Sequence, residues 1–156
     1  MGSSGTPEIV GKILESFEGK PYRVIAPIKF QLDQLPRLRI PSNVVMTNWL
    51  PALKVNKLAD LSLIHGGIGT VMTAAYAGRP VVGVGMPEQV ANLACLVRKG
   101  FAIRVRKSAN PRKVQEAIQI LLHNEAKRKA EDFAKVMEEW DGPKTAAELL
   151  LKKFGH

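Results

Sequence analysis

Leu61-Ser62-Leu63-Ile64-His65-Gly66-Gly67-Ile68-Gly69-Thr70 is the stretch that decides the fold. A short apolar run stops at a histidine, a glycine-rich turn follows, and Ile68 to Ala77 then reads as a helix. Gly78-Arg79-Pro80 ends that helix, and Val81-Val82-Gly83-Val84 is a second apolar run. The order is strand, phosphate-sized turn, helix, strand. Two β segments joined by a helix make a parallel unit, with the turn at the carboxyl end of its first strand.

The same alternation continues in both directions. Upstream, Thr6-Pro7-Glu8 reads as a helix start, with Thr6 able to cap and Pro7 suited to the first helical position. Ile9, Val10, Ile13, Leu14 and Phe17 form its apolar stripe, and Gly19-Lys20-Pro21 stops it. Tyr22 to Ala26 and Val44 to Met46 read as strands, Lys29 to Ser42 as irregular chain, and Leu50 to Leu58 as a short helix. Downstream, Gln89 to Lys99 is a helix ended by Gly100, and Ala102 to Val105 is a strand. Asn110-Pro111 opens a further helix, and Glu125 to Trp140 and Lys144 to Phe154 close the chain as amphipathic helices. No internal repeat or low-complexity segment interrupts the pattern.

The expected fold is α/β: a Rossmann-like, doubly wound parallel sheet in three α/β/α layers, with C-terminal helices. Residues 1–156 form one domain, large enough for a proper core. In such sheets ligands bind at the carboxyl ends of the strands. His65, Gly2 to Gly5, and Met86 to Gln89 all fall at such ends or beside them, so they are expected on one rim. One element is missing from the pattern. Gly2-Ser3-Ser4-Gly5 leads straight into a helix, as a phosphate loop does, but only Met1 stands where a strand should precede it. Either these residues are an artificial leader or they are a native loop whose strand is absent. The second reading is preferred, and it leaves unpaired backbone in the middle of a sheet.

Composition narrows the classes. No apolar run approaches the roughly 18 to 20 residues that span a bilayer, and no secretory signal is visible. The single cysteine, Cys95, excludes an internal disulfide and fits a reducing compartment, so a cytoplasmic location is expected. Cys95 sits in a helical apolar pattern and reads as packing. The net charge is +9, densest between Arg98 and Lys107, where five Lys/Arg stand with no acid. That run is either solvated surface or an attraction to an anionic ligand or membrane. Stacking aromatics do not interleave it, which weighs against nucleic acid.

The turn at Gly66 to Thr70 can hold an anion. Backbone N–H groups at a helix start point outward and the helix dipole adds partial positive charge. Thr70 can add a hydroxyl donor and His65 a ring donor. The spacing is neither a Walker loop nor the dinucleotide fingerprint. Taken alone, His65 reads equally as a hydrogen-bonded structural group. No His/Cys/Asp cluster has metal-ligand spacing, so no metal is expected. No Gly-x-Ser-x-Gly elbow is present, which argues against a serine hydrolase. Glu88 and Gln89 pair a carboxylate with an amide at a strand end and suit sugar hydroxyls, while Glu88 alone is also an ordinary helix-start acid. Asn92 lies one turn further on the same face.

Together these residues resemble the donor-binding signature of nucleotide-sugar-dependent glycosyltransferases of the GT-B fold. The segments are Trp49-Leu50-Pro51, His65 to Thr70, Gly78-Arg79-Pro80, Glu88-Gln89 and Asn92, in the family's order. The likeness extends over nearly the whole chain, from a Gly-Ser loop to the closing helices. The resemblance implies that His65, Gly66, Gly67, Gly69 and Thr70 hold the donor diphosphate, with Ser3 and Ser4 lining it from the first loop. It places Trp49 near the nucleobase, Thr73 near the ribose, and Glu88, Gln89 and Asn92 on the transferred sugar. Trp49 reads equally as a core residue. Many members carry a glutamate where this chain has Thr73, and a glutamine where it has Ala52. Thr73 looks more like the branch that uses deoxythymidine-linked sugars, so the nucleotide, UDP- or dTDP-linked, stays open.

The resemblance further implies the C-terminal, donor-binding half of a two-domain enzyme. The reaction would be inverting, metal-independent hexosyl transfer to an acceptor hydroxyl, with the nucleoside diphosphate sugar as substrate and no cofactor. The general base would sit in an N-terminal acceptor domain, so no catalytic base is expected here. Rival readings are the donor subunit of a split glycosyltransferase with peripheral membrane contact, a nucleotide-sugar epimerase, and a non-catalytic sugar-nucleotide binding module.

Overall fold

The computed structural model describes residues 7–30, 38–85, 89–106, 108 and 110–155, without the side chains of Val90 and Asn124. Its strands are the apolar runs: β1 (Val24–Ala26), β2 (Val44–Met46), β3 (Ser62–Ile64), β4 (Val81–Gly83) and β5 (Ala102–Arg104). The helices are α1 (Pro7–Glu15), α2 (Ala52–Leu58), α3 (Ile68–Tyr76), α4 (Val90–Arg98), α5 (Pro111–Leu121), α6 (Asn124–Glu139) and α7 (Gly142–Phe154). Each expected element is present, with ends shifted by a residue or two: β1 is shorter and α7 starts two residues earlier, at Gly142. Punctuation follows the local chemistry. Gly78 and Gly100 take positive φ just past α3 and α4, where a side chain would be strained. Asn110 caps α5 by accepting from the Arg112 N–H at 2.9 Å, and Asp141 caps α7 by accepting from the Lys144 N–H at 3.0 Å.

All pairings are parallel, in two hydrogen-bonded pieces: β1-β2 and β3-β4-β5. The apolar faces of the helices close two core layers over this sheet. In one, Leu14 and Phe17 meet Val114, Ala117, Ile118 and Leu121 of α5, together with Ala26, Val44 and Val82. In the other, Val71, Ala74 and Ala75 of α3 meet Leu93 and Leu96 of α4, together with Val81 and Phe101. Val81 and Val82 are adjacent, fully buried and on opposite faces, as a strand covered on both sides requires. Helix α6 bridges the layers, with Ala126 in the first and Ala130 in the second, and Phe133 stacks on Phe101 at 5.4 Å.

One expectation is corrected. Cys95 is exposed rather than packed. At 100° per residue it lies across α4 from Leu93, and Leu93 and Leu96 are the residues that turn inward.

One side chain also ties the segment after α1 to the start of β2. Asn43 Nδ2 donates to the carbonyls of Phe17, Lys20 and Tyr22 at 3.0, 3.1 and 2.9 Å. Asn43→Ala removes the amide donor from all three, although the Phe17 carbonyl keeps the Lys20 N–H at 3.0 Å, so unfolding free energy should fall by about 1–2 kcal/mol in urea denaturation. An unchanged midpoint would show that water replaces the amide.

Candidate functional site

The site is built where β3 runs out. After Ile64 the chain passes His65, turns at Gly66 with φ +88, and enters α3 at Gly67. The positive φ explains the first glycine of the pair. Close approach adds to it: a methyl group on Gly66 would lie 3.3 Å from Leu93 Cδ1 and 3.4 Å from Gln89 Cβ. The turn is therefore seated on the start of α4. Asn92 Nδ2 ties the same two elements together by donating to the Gly66 carbonyl at 3.0 Å.

Gly67 has an ordinary extended conformation, φ −60 and ψ 139, so its reason is different. A methyl group there would stand 2.5 Å from His65 Nε2. The imidazole thus folds back over Gly67, the residue that caps the helix start. Its Nε2 lies beside the helix start, where the N–H groups of Ile68 and Gly69 have no intrahelical acceptor. The ring nitrogen, a donor when it carries the proton, stands beside a helix start whose dipole adds partial positive charge. Such an arrangement can receive an anion.

The hydroxyls are committed elsewhere. Thr70 Oγ1 donates to the Gly67 carbonyl at 2.8 Å, and Thr73 Oγ1 donates to the Gly69 carbonyl at 2.7 Å. The hydrogen expected of Thr70 for an anion is therefore spent inside the helix, and its oxygen is left as an acceptor. Back-bonding of this kind is the common fate of threonine within a helix.

Burial lowers the pKa of His65 below its ordinary value of 6.5. The imidazole is held toward its neutral form. The unfolded chain takes up this proton at the ordinary pKa and the folded chain only at lower pH. The contribution to stability is therefore present above pH 6.5 and is lost as the pH falls below it. Unfolding midpoints measured from pH 7.5 down to 5.5 should fall less steeply for His65→Gln than for the parent.

Other sequence candidates fall into three groups. Gln89 and Asn92 are brought to the His65 turn by the contacts above. Trp49 follows the carboxyl end of β2 and is 76% exposed, so it is not a core residue. Ser3, Ser4 and Glu88 lie outside the described residues. Gly78-Arg79-Pro80 belongs to the opposite end of the sheet, before β4 rather than after a strand. There Gly78 lets α3 approach α6, with Glu131 Cα 3.2 Å from a methyl group added to it. Arg79 donates to the carbonyls of Asn56, at 3.1 Å, and Lys57, and pairs with Glu131 at 3.9 Å. That motif is structural here.

Two supporting residues were not singled out in the sequence. Gly85 lies against the site, since a methyl group on it would come within 3.0 Å of the His65 carbonyl. Gly83 leaves room for Leu93, whose Cδ1 would collide with any side chain there. Glycine within an apolar strand was the available signal, because it marks close backbone approach.

The family model of the glycosyltransferase family 28 C-terminal domain matches residues 26–145. An uncharacterized glycosyltransferase of Methanosarcina acetivorans is 31% identical over 121 residues, which is 74% of this chain and 32% of that protein. The NDP-glycosyltransferase YjiC of Bacillus subtilis is 28% identical over 153 residues, 94% of this chain and 39% of that protein. The chain thus spans well under half the length of either relative. Among solved structures, the calicheamicin glycosyltransferase CalG4 superimposes with a TM-score of 0.81 at 24% identity, over 99% of this chain and 41% of that one. Glycosyltransferase VinC, solved in complex with DTDP, does so with a TM-score of 0.73 at 19% identity, over 90% of this chain and 36% of that one. At these identities the structural likeness speaks for the fold.

Proposed function

This chain belongs to the glycosyltransferase family 28 C-terminal domains, and from that premise we propose that its His65 rim cradles the diphosphate of a nucleoside diphosphate sugar. The observation that carries the reading is the His65 imidazole folded over the start of α3, with its Nε2 beside the helix N–H groups. Negative charge grows on the diphosphate as the sugar leaves. Donors already aimed at that place stabilise the charge without reorganising. In this reading His65 and the N–H groups of Ile68 and Gly69 serve the leaving group, and no step is assigned to a metal.

Gln89 and Asn92 stand next to the cradle and, with Glu88, would take hydroxyls of the transferred sugar. Trp49, exposed past β2, offers a face for the base. The Thr73 hydroxyl oxygen can still accept from a ribose hydroxyl after donating to Gly69. VinC's complex with DTDP fits the deoxythymidine-type reading of Thr73. The acceptor hydroxyl needs a general base. Among the described residues no carboxylate is brought to His65, and in this reading the base belongs to a preceding acceptor domain and transfer proceeds with inversion. Robust sugar transfer by this chain alone would overturn that assignment.

Calorimetric titration of the chain with UDP-glucose and dTDP-glucose tests the donor reading, which fails if neither binds. A diester diphosphate does not titrate near neutrality, so pH dependence reports on His65. Docking an anion raises the imidazole pKa, and affinity should therefore climb as pH falls from 7 to 6, by at most about tenfold per unit. The climb should vanish in His65→Gln. A second reading, the donor subunit of a split enzyme held at a membrane, is favoured by the exposed run of Arg98, Lys99, Arg104 and Arg106. Sedimentation with phosphatidylserine vesicles at low salt tests it.

A further inference from the structure

Two anchors bracket the turn after β3. On one side the backbone at Gly66 rests on α4, where an added methyl group would lie 3.3 Å from Leu93 Cδ1 and 3.4 Å from Gln89 Cβ. On the other, the Gly67 carbonyl starts α3. It accepts from the N–H groups of Thr70 and Val71, both at 3.0 Å, and from Thr70 Oγ1 at 2.8 Å. The peptide between these anchors joins two glycines. Turning it over changes ψ of the first and φ of the second, and glycine has no Cβ to oppose either change. The local chain therefore leaves this peptide with two orientations of similar energy. A contact from outside the turn has to choose between them.

Asn92 makes that contact. From the first turn of α4 its Nδ2 donates to the Gly66 carbonyl at 3.0 Å. The peptide is planar and trans, so its C=O and N–H point in opposite directions. Drawing the Gly66 carbonyl toward α4 turns the Gly67 N–H away from α4. That N–H stands ahead of the helix and has no acceptor among the described residues. It is one bond from the Cα whose added methyl group would meet His65 Nε2 at 2.5 Å. The other orientation would put a carbonyl oxygen where this N–H is, and a carbonyl oxygen repels an anion.

We propose that Asn92 is a positioning residue of the diphosphate cradle: its amide fixes the Gly66–Gly67 peptide, and the Gly67 N–H presented in this way donates to the diphosphate beside His65. The role rests on the donor reading above and deepens it. Asn92 acts on the diphosphate through Gly66 by its Nδ2, and its Oδ1 is left for the sugar hydroxyl.

Calorimetric titration of Asn92→Ala with UDP and dTDP, and with UDP-glucose and dTDP-glucose, separates the two ends of the side chain. The bare diphosphates carry no sugar, so a sugar contact cannot affect them. Losing the positioning amide should weaken the diphosphate that the parent binds by about 3- to 10-fold, the worth of one ordinary hydrogen bond, and its glucose ester by at least as much. The climb in glucose-ester affinity from pH 7 to 6 should survive, because His65 is untouched, whereas a collapsed turn would lose it. In amide NMR spectra of the parent, the Gly67 proton should move downfield as the diphosphate binds, and in Asn92→Ala at saturation that movement should shrink. Asn92→Leu, branched like asparagine but without the donor, should repeat these results if the alanine variant does not fold. Unchanged affinity for the bare diphosphates, with any loss confined to the glucose esters, overturns the proposal and leaves Asn92 as a sugar contact. A Gly67 proton that stays in place when the parent binds overturns it too. A parent that binds none of the four ligands overturns the donor reading itself, and this role with it.

Discussion

Gly66→Val should unfold far more readily than the parent, by about 2–5 kcal/mol. Two separate costs add. Gly66 sits at φ +88, where a β-branched residue is an outlier, and the left-handed region costs an L-residue roughly 1–2 kcal/mol. The second cost is space. The new Cβ would press on Leu93 Cδ1 at 3.3 Å and on Gln89 at 3.4 Å, and Leu93 is itself fully buried, so overpacking adds about 1–3 kcal/mol. Urea denaturation with an unchanged slope and a sharply lowered midpoint is the expected result. Gly66→Asn should lose less, because asparagine tolerates the left-handed region and only the packing cost remains in full. Equal losses for the two variants would mean that backbone strain at Gly66 is negligible.

Gly67→Ala should do the opposite, leaving the fold intact and damaging the site. Its backbone is one that alanine adopts freely, so stability should change by less than about 1 kcal/mol. The added methyl cannot coexist with His65 Nε2 at 2.5 Å, and the ring must swing off the helix start. Under the donor reading, affinity for a nucleotide sugar should then fall as it does for His65→Ala, by about 10- to 100-fold, the worth of one hydrogen bond to a charged group. The double variant is the sharper measurement. If Gly67→Ala acts only by displacing His65, the two losses are not additive, and the pair should bind about as weakly as either alone. Additive losses would sever the link between the glycine and the ring.

The two glycines look alike in the sequence and answer to different constraints. A Gly-Gly pair after a strand signals a turn, and the turn was legible. That Gly66 is held by backbone conformation and Gly67 by the ring of the residue two before it is a matter of three-dimensional placement. Asn92 makes the same point. Its spacing from Gln89 put it on the right face of α4, and its partner, the Gly66 carbonyl 26 residues earlier, was beyond any local pattern. Cys95 shows the limit of periodicity in a helix of nine residues, where a window of apolar residues covers more than one face.

Sequence by itself determined the elements and their class, because short apolar runs between glycine and proline stops are resolved by local chemistry. It also placed His65 and the glycine turn at a strand end, and the order of motifs carried the family resemblance. Tertiary structure decided what each motif does. Gly78-Arg79-Pro80 went to the far end of the sheet and to bracing α2 and α6, since a parallel strand carries its preceding and following residues to opposite rims. The Thr70 and Thr73 hydroxyls were spent within α3 because carbonyls one turn back are always within reach. That β1 pairs with β2, and β4 with both β3 and β5, emerged only from the tertiary structure, since a strand's neighbours are chosen by the whole sheet and not by its own residues.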